Sequence, residues 1–178
     1  TKADNWLNIK AGTDAAFALA LAATIVEEGL ADLDFMRTYT DAPLLVRADT
    51  GKRLLASDLD AGIDAADPTA RRYVVWDQTT STAVVIPIDR LGLPDGIDAA
   101  LDGSHPVTLA DDTTVEVSPG FVHVTAELEG FTPELTAEIT GLDPELVRKV
   151  ARAYATADPA AILMGAGSNH WYHGDLTG

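Results

Sequence analysis

Two stretches, one near each end of the chain, carry the apolar spacing and the capping residues that are typical of helices. Ala and Leu dominate 15–28, Gly29 follows as a C-terminal cap, and Thr13 or Asp14 can serve as the N-cap. Because this helix is apolar on nearly every side, we expect it to be largely buried. Capping residues, with Pro at the first position of the last two, predict three more helices at 31–40, 132–140 and 143–155.

Between these helices, short apolar and β-branched runs flank turn residues such as Asp49-Thr50-Gly51-Lys52. This pattern predicts β-hairpins. We expect three hairpins within 44–55, 73–87 and 106–117, with a further strand at 121–124. The chain then divides into an α/β segment 1–42, an inserted β-hairpin region 43–130 and a second α/β segment 131–178. We expect these to form one partial domain of the α/β class.

Near the end of the chain, the apolar run 161–164 leads directly into Gly165-Ala166-Gly167 and then into the polar and aromatic residues 168–175. An apolar run of this length, preceded by Asp158-Pro159, predicts a buried strand of a parallel sheet. Parallel sheets bind ligands beyond the carboxyl ends of their strands, and glycines let the backbone approach a bulky group. The sequence therefore predicts a ligand-binding loop after this strand.

Two junctions could carry chemistry: Gly12-Thr13-Asp14 at a helix start, and 165–170 after the predicted strand. Both offer small residues and backbone N–H donors, which suit phosphates or a heterocycle. Together they indicate half of a site for an extended phosphorylated cofactor. The turn at 12–14 is also compatible with a simple helix cap, and Asp14 is a candidate general base only if it is buried beside a substrate.

The histidines give weaker signals. His170, His173 and Asp175 are a conceivable metal set, but their spacing matches no helical two-histidine motif, and Gly174 favours a loop. His105 and His123 are expected to be structural or to face solvent. Walker loops, nucleophile elbows and a full dinucleotide fingerprint are absent from the sequence.

Composition narrows the classes of function. The chain has no Cys, and its 20 Asp and 8 Glu against 12 Lys and Arg give a net charge of −16. A chain this acidic repels a phosphate backbone, so we expect no nucleic-acid partner. Dispersed acids with few lysines favour a salt-adapted organism over an ordinary acidic mesophile. Because the chain lacks an initial Met and a closing element, we expect a piece of a longer protein.

Four segments resemble the molybdopterin oxidoreductases of the dimethyl sulfoxide reductase family. Lys10-Ala11-Gly12-Thr13-Asp14 is similar to the family's Gly-Thr-Asp loop, and residues 35–46 are similar to its Arg-x-Tyr-Thr-Asp-x-Pro-x-Leu-Val segment. Glu138-Ile139-Thr140-Gly141 and Ile162 to Leu176 follow in the same order. Within the family, the likeness is to the catalytic alpha subunits of respiratory nitrate reductases, from a salt-adapted archaeon.

The resemblance implies a molybdenum centre held by two molybdopterin guanine dinucleotides, with a 4Fe-4S cluster whose ligands lie outside this chain. It assigns contacts with the guanine nucleotide to Gly12, Thr13 and Asp14, and Asp14 would accept hydrogen bonds from the guanine N–H edge. It assigns cofactor contacts to the second loop as well. These are Gly165, Ala166, Gly167, Asn169 and His170, with Trp171, Tyr172 and His173 as neighbours.

The implied activity is the reduction of nitrate to nitrite by a larger polypeptide, and this piece alone is expected to be inactive. The implied partners are a membrane subunit that oxidises quinol, which would hold the enzyme at a membrane, and an iron–sulfur beta subunit. A sister enzyme acting on chlorate, perchlorate or selenate, or a molybdenum dehydrogenase, is the alternative within the family. A free-standing α/β nucleotide-binding module without catalysis is the alternative outside it.

Overall fold

The computed structural model describes residues 3–64, 66–67, 72–87 and 92–163. These residues form two compact units. The helical unit comprises 3–31 and 125–163, and the sheet unit comprises the described residues of 32–124. In chain order the elements are α1 (Asp14–Glu27), α2 (Leu33–Tyr39), β1 (Leu45–Arg47), α3 (Ala56–Leu59), β2 (Tyr73–Asp77), β3 (Thr82–Ile86), β4 (His105–Thr108), β5 (Thr114–Pro119), α4 (Gly120–Leu128), a 3-10 turn (Glu129–Phe131), α5 (Pro133–Thr140) and α6 (Pro144–Thr156).

The sheet unit contains two small antiparallel sheets. β1, β5 and β4 form a three-stranded sheet in the order β1-β5-β4, and β2 pairs with β3 in a hairpin. In register, Leu45 lies opposite Pro119 and Val107 lies opposite Val115. Inward-facing side chains from these strands and from the segments at 54 and 109 form an apolar core of this unit. That core comprises Leu45, Leu54, Val74, Val107, Leu109 and Val117.

A buried carboxylate organises the turn between β2 and β3. Asp77 is only 3% exposed, and its side chain accepts hydrogen bonds from the backbone N–H groups of Thr79 and Asp98, each at 3.1 Å. The hydroxyl of Thr80 donates to the same carboxylate at 2.7 Å. This hydroxyl contributes most to lowering the pKa of Asp77 below its usual value, and the backbone donors add to the effect. The carboxylate is therefore satisfied by structural hydrogen bonds.

The helical unit is built around α1, which packs against α5 and α6. Ala20, Leu142 and Val147 are the buried centre of this packing, and a small residue at 20 allows close approach between helices. The starts of α5 and α6 follow from local capping. Thr132 accepts a hydrogen bond from the N–H of Leu135, and Asp143 accepts one from the N–H of Glu145.

Many of the predicted elements are confirmed. The helices at α1, α2, α5 and α6 lie within one or two residues of their predicted bounds, and the second and third hairpins are β2–β3 and β4–β5. The first hairpin is present only in part. Its turn is closed by a hydrogen bond from the N–H of Arg47 to the carbonyl of Lys52, but the return strand contributes a single bridge, at Arg53. β1 pairs along its length with β5.

The strand expected at 121–124 is wrong, because these residues lie within α4. The valines favour a strand locally, but β5 ends at Pro119, which has no N–H for a ladder. The N–H groups of Gly120 and Phe121 donate to the carbonyls of Leu44 and Ala42. These bonds turn the chain out of the sheet, so tertiary hydrogen bonds override the local preference.

Two further expectations need correction. α1 is only partly buried, because α5, α6 and the 3-10 turn cover one side of it, and its buried residues are Ala20, Ala23 and Thr24. The predicted strand is wrong over 161–163, which is exposed and not in a strand. The described residues of the helical unit offer that segment no strand to pair with. The sheets within the described ranges are antiparallel, and Met164 lies outside those ranges.

A bidentate ion pair joins α6 to the residue that follows α1. The guanidinium of Arg152 donates to both carboxylate oxygens of Glu28 at 2.7 Å. This hydrogen bonding lowers the pKa of Glu28 below its usual value. The ion pair therefore stabilises the fold above the unfolded-state pKa of Glu28, and its contribution is lost as the pH falls through the lower, folded-state pKa.

The Arg152→Met variant tests this ion pair. We expect it to raise the pKa of Glu28, because the cation that favours the carboxylate is gone. A carboxylate titration by NMR in the full-length protein measures this pKa. Lys149→Met is the control, since Lys149 lies on the same helix and donates instead to Asn5. An unchanged Glu28 titration in Arg152→Met would contradict the contact.

Candidate functional site

The start of α1 presents backbone N–H groups that no described side chain caps. Thr13 is the N-cap residue, and its carbonyl accepts the first helical hydrogen bond from the N–H of Phe17 at 3.1 Å. Its hydroxyl donates to the carbonyl of Lys10 at 2.7 Å rather than accepting from the helix. Within the described residues, the N–H groups of Asp14, Ala15 and Ala16 are therefore left without an acceptor. Such a helix start favours an anion.

Gly12 shapes the turn that leads into these donors. Its φ of +81° lies in the left-handed region, which residues with a Cβ rarely adopt. A Cβ built on Gly12 would have no described atom within 4 Å, so the described part of the chain leaves the surface beside it open. The backbone conformation, rather than crowding, therefore requires glycine at this position.

Asp14 adds a carboxylate to the same turn. Its side chain is exposed and makes no hydrogen bond or ion pair with the described residues. An ionised carboxylate only accepts hydrogen bonds, so it suits a partner with two neighbouring N–H groups. The burial that a general base at Asp14 would need is not found, because the residue faces outward.

The predicted site is thus described at one of its two turns. Gly12, Thr13 and Asp14 lie together at the start of α1. The second turn lies outside the described residues, and the convergence of the two turns stays a prediction. That turn holds Gly165, Ala166, Gly167, Asn169 and His170, together with Trp171, Tyr172 and the suggested metal ligands His173 and Asp175. Across the described ranges, no cluster of three or more His, Asp or Glu side chains could hold a metal ion.

The two described histidines have structural surroundings. His105 stacks on Trp76 with ring centroids 4.2 Å apart and planes 6° from parallel. Its Nε2 atom is buried without a hydrogen-bond partner in the described part of the sheet unit. The Nε2 atom of His123 lies 2.9 Å from the hydroxyl of Ser118. Neither ring belongs to the turn at 12–14.

The segment from Arg37 to Pro43 is also structural at most of its polar positions. Arg37 donates to the carbonyl of Ala99 at 2.8 Å, and the hydroxyl of Thr40 donates to the carbonyl of Met36 at 2.6 Å. Asp41 forms an ion pair with Arg53. The hydrogen bond from Arg53 lowers the pKa of Asp41 below its usual value. These contacts fix the chain between α2 and β1.

Comparison with known proteins decides the family. No protein-family model matches the sequence. The chain is 37% identical over 183 residues to the alpha subunit of the respiratory nitrate reductase of Haloferax mediterranei, an alignment that covers 97% of this chain and 18% of that protein. It is 32% identical over 200 residues to the alpha subunit of the perchlorate reductase of Dechloromonas aromatica, covering 98% of this chain and 21% of the relative.

A third relative is the putative dimethyl sulfoxide reductase catalytic subunit of Halobacterium salinarum, 32% identical over 99% of this chain and 19% of its own length. The chain belongs to the dimethyl sulfoxide reductase family of molybdopterin oxidoreductases. This confirms the family resemblance of the four sequence segments. The chain spans about a fifth of the length of these curated relatives.

The family shown by the comparisons is the one whose Gly-Thr-Asp loop the turn at 12–14 resembles. Sequence reasoning found Gly12, Thr13 and Asp14 through their resemblance to the family's Gly-Thr-Asp loop. It assigned no role to Lys10, which contacts the end of α5 through both its backbone and its side chain.

None of the described helices is both long and apolar enough to cross a membrane.

Proposed function

We propose that this chain is a segment of the molybdenum-containing catalytic subunit of a respiratory nitrate reductase. The observation that carries the proposal is the alignment of almost the whole chain with the Haloferax protein. In this proposal, the turn at 12–14 binds the guanine nucleotide of one of two molybdopterin guanine dinucleotides. The loop at 165–170 contributes further contacts, through Gly165, Ala166, Gly167, Asn169 and His170.

The residues present at the first turn fit such a nucleotide. The N–H groups of Asp14, Ala15 and Ala16, which have no acceptor among the described residues, match phosphate oxygens, and the helix dipole favours the negative charge. The carboxylate of Asp14 matches the two N–H donors on the edge of guanine. The open surface beside Gly12 leaves room for the ligand to approach the backbone. Donors, acceptor and space are thus all supplied by three consecutive residues and the first turn of α1.

When bound, the molybdenum–pterin group supplies the oxygen-atom and electron-transfer chemistry that converts nitrate to nitrite. The share of this chain is to bind and orient the nucleotide end of that group. α1 and its N-terminal turn hold the phosphates by backbone donors, whose geometry is set by the helix. Asp14 selects guanine because it accepts from both donors of that base. No residue of the described ranges is assigned a proton-transfer role.

We place a quinol-oxidising membrane subunit beside the full-length protein, together with an iron–sulfur beta subunit, and we place an iron–sulfur cluster whose ligands lie outside this chain. These partners would hold the enzyme at a membrane. The family likeness and the absence of Cys from this chain are consistent with that arrangement.

A second candidate is perchlorate or chlorate reduction. It is favoured by the perchlorate reductase relative, which aligns with 98% of the chain at 32% identity, and by a chlorate reductase relative at 31%. The family also includes a relative named as a dimethylsulfide dehydrogenase, so the direction of the reaction varies among relatives. The experiment must therefore compare oxyanions side by side.

The test uses the full-length enzyme complex with a reduced dye as electron donor. We expect dye oxidation with nitrate to exceed that with perchlorate, chlorate or selenate at equal concentration, as judged by kcat/KM. Turnover restricted to one of the other oxyanions would reject the nitrate assignment while leaving the family intact. Tight binding of GMP by the 178-residue chain as a stable folded monomer would instead favour a non-catalytic nucleotide-binding module.

A further inference from the structure

Lys10 caps the C-terminal end of α5 in two ways. Its backbone N–H donates to the carbonyl of Thr140 at 3.0 Å, and its ammonium donates to the carbonyl of Glu138 at 2.6 Å. Both carbonyls belong to the last turn of α5, where acceptors have no partner within the helix. A positive charge at a helix C-terminus is also favoured by the helix dipole. The segment before α1 is therefore attached to a specific point of the helical unit.

The carbonyl of Lys10 binds Thr13, at the end of the turn where α1 begins. It accepts hydrogen bonds from both the N–H of Thr13, at 3.2 Å, and the hydroxyl of Thr13, at 2.7 Å. A threonine at the N-cap normally turns its oxygen toward the second or third N–H of the helix. Here the hydroxyl is engaged with Lys10 instead, which leaves those N–H groups open. The backbone of Lys10 thus fixes the turn and leaves its donors free, while the side chain of Lys10 anchors that backbone to α5.

Gly141 provides the space that this arrangement needs. A Cβ on Gly141 would lie 3.3 Å from Cε of Lys10 and 3.6 Å from its Cγ, so the lysine stem lies directly over the glycine. Gly141 also has a φ of +77° and ends α5 in the left-handed conformation. The segments 10–14 and 138–141 are therefore in direct contact through Lys10.

We propose that Lys10 is a positioning residue for the nucleotide site, because it joins the 12–14 turn to the end of α5 and keeps the first N–H groups of α1 available. This inference rests on the function proposed above. Lys10 does not itself touch the ligand in this proposal. Its effect passes through the position of Gly12 and the rotamer of Thr13.

The test compares Lys10→Met with Lys149→Met in the full-length protein. Both variants remove one exposed ammonium that donates to an oxygen within the helical unit, but only Lys10 contacts the turn. In cofactor-free protein, we expect the hydrogen-bonded amide hydrogens within 10–17, those of Lys10, Thr13 and Phe17, to exchange about two- to fivefold faster in Lys10→Met, the size of a helix-terminus charge effect. We expect binding of guanine nucleotide to weaken by about the same factor, so that guanine content after purification falls. Lys149→Met should change neither, and Lys10→Arg should restore both.

Three outcomes separate this inference from the site itself. Unchanged exchange at 10–17 in Lys10→Met overturns the positioning role. Faster exchange with full guanine content, in a protein whose Asp14→Ala variant loses guanine, overturns the Lys10 inference but keeps the site. Full guanine content in both variants removes the site and the inference together. If Lys10→Met does not fold, Thr13→Val breaks the hydroxyl contact alone and is expected to raise exchange at 10–17 in the same way.

Discussion

The purified full-length Asp14→Ala protein is expected to bind guanine nucleotide about 10- to 100-fold more weakly than the unaltered protein and therefore to retain less of it, since hydrogen bonds to a charged group are lost. The carboxylate faces outward at the first helical position and has no partner within the described ranges, so it is available to a ligand. Guanine offers the carboxylate two adjacent N–H donors, and the side chain of alanine has no acceptor for them. Asp14→Asn keeps one acceptor but presents an amide donor to the base, so we expect an intermediate loss.

The measurement is the guanine nucleotide released from the denatured protein, together with its molybdenum content. Glu27→Ala is the matched control, because it removes one exposed carboxylate from the same helix about 20 Å away. Circular dichroism of each variant checks that α1 is still formed. Equal guanine and molybdenum in Asp14→Ala and in the unaltered protein would show that Asp14 does not bind the nucleotide.

The 12–14 turn was predictable because its causes are local. A glycine at positive φ, a threonine at the N-cap and an aspartate at the first helical position act within a few residues of one another. The same holds for the starts of α5 and α6, where Thr132 and Asp143 cap the following helix and proline takes the first position. Elements that depend on capping and turn chemistry were therefore placed within a residue or two.

The errors arise where distant contacts decide the structure. Residues 121–124 became helical because the chain leaves the sheet through bonds to Ala42 and Leu44, about eighty positions earlier. The side chain of Lys10, next to the 12–14 turn, donates a hydrogen bond to the carbonyl of Glu138 at a sequence separation of 128. No local sequence pattern predicts either contact. The apolar run at 161–163 was predicted as a strand for the same reason, because hydrophobicity alone does not show whether another strand lies beside it to pair with.

The second large effect that we expect is a dependence of folding on salt concentration, caused by the charge of the chain. We infer a salt-adapted protein from its net charge of −16, because five of the six described arginines, those at 37, 47, 53, 148 and 152, are already paired with acids. The remaining acids repel one another over a distance that salt controls. The Debye length is about 3 Å at 1 M salt and about 10 Å at 0.1 M, so dilution exposes carboxylates to many more like charges.

We therefore expect the 178-residue chain to be folded in about 2 M KCl and to lose most of its helical circular dichroism when dialysed to about 0.1 M, where repulsion between acids is no longer screened. Sucrose is the control, because it favours compact states without screening charge and should restore less structure than KCl. Replacing three exposed acids of the described ranges, Asp4, Asp102 and Asp112, by Asn should shift the unfolding midpoint to lower salt, since each change removes repulsion. Full helical signal at about 0.1 M KCl would instead show that packing within the two units outweighs the repulsion, and would favour an ordinary acidic mesophile protein.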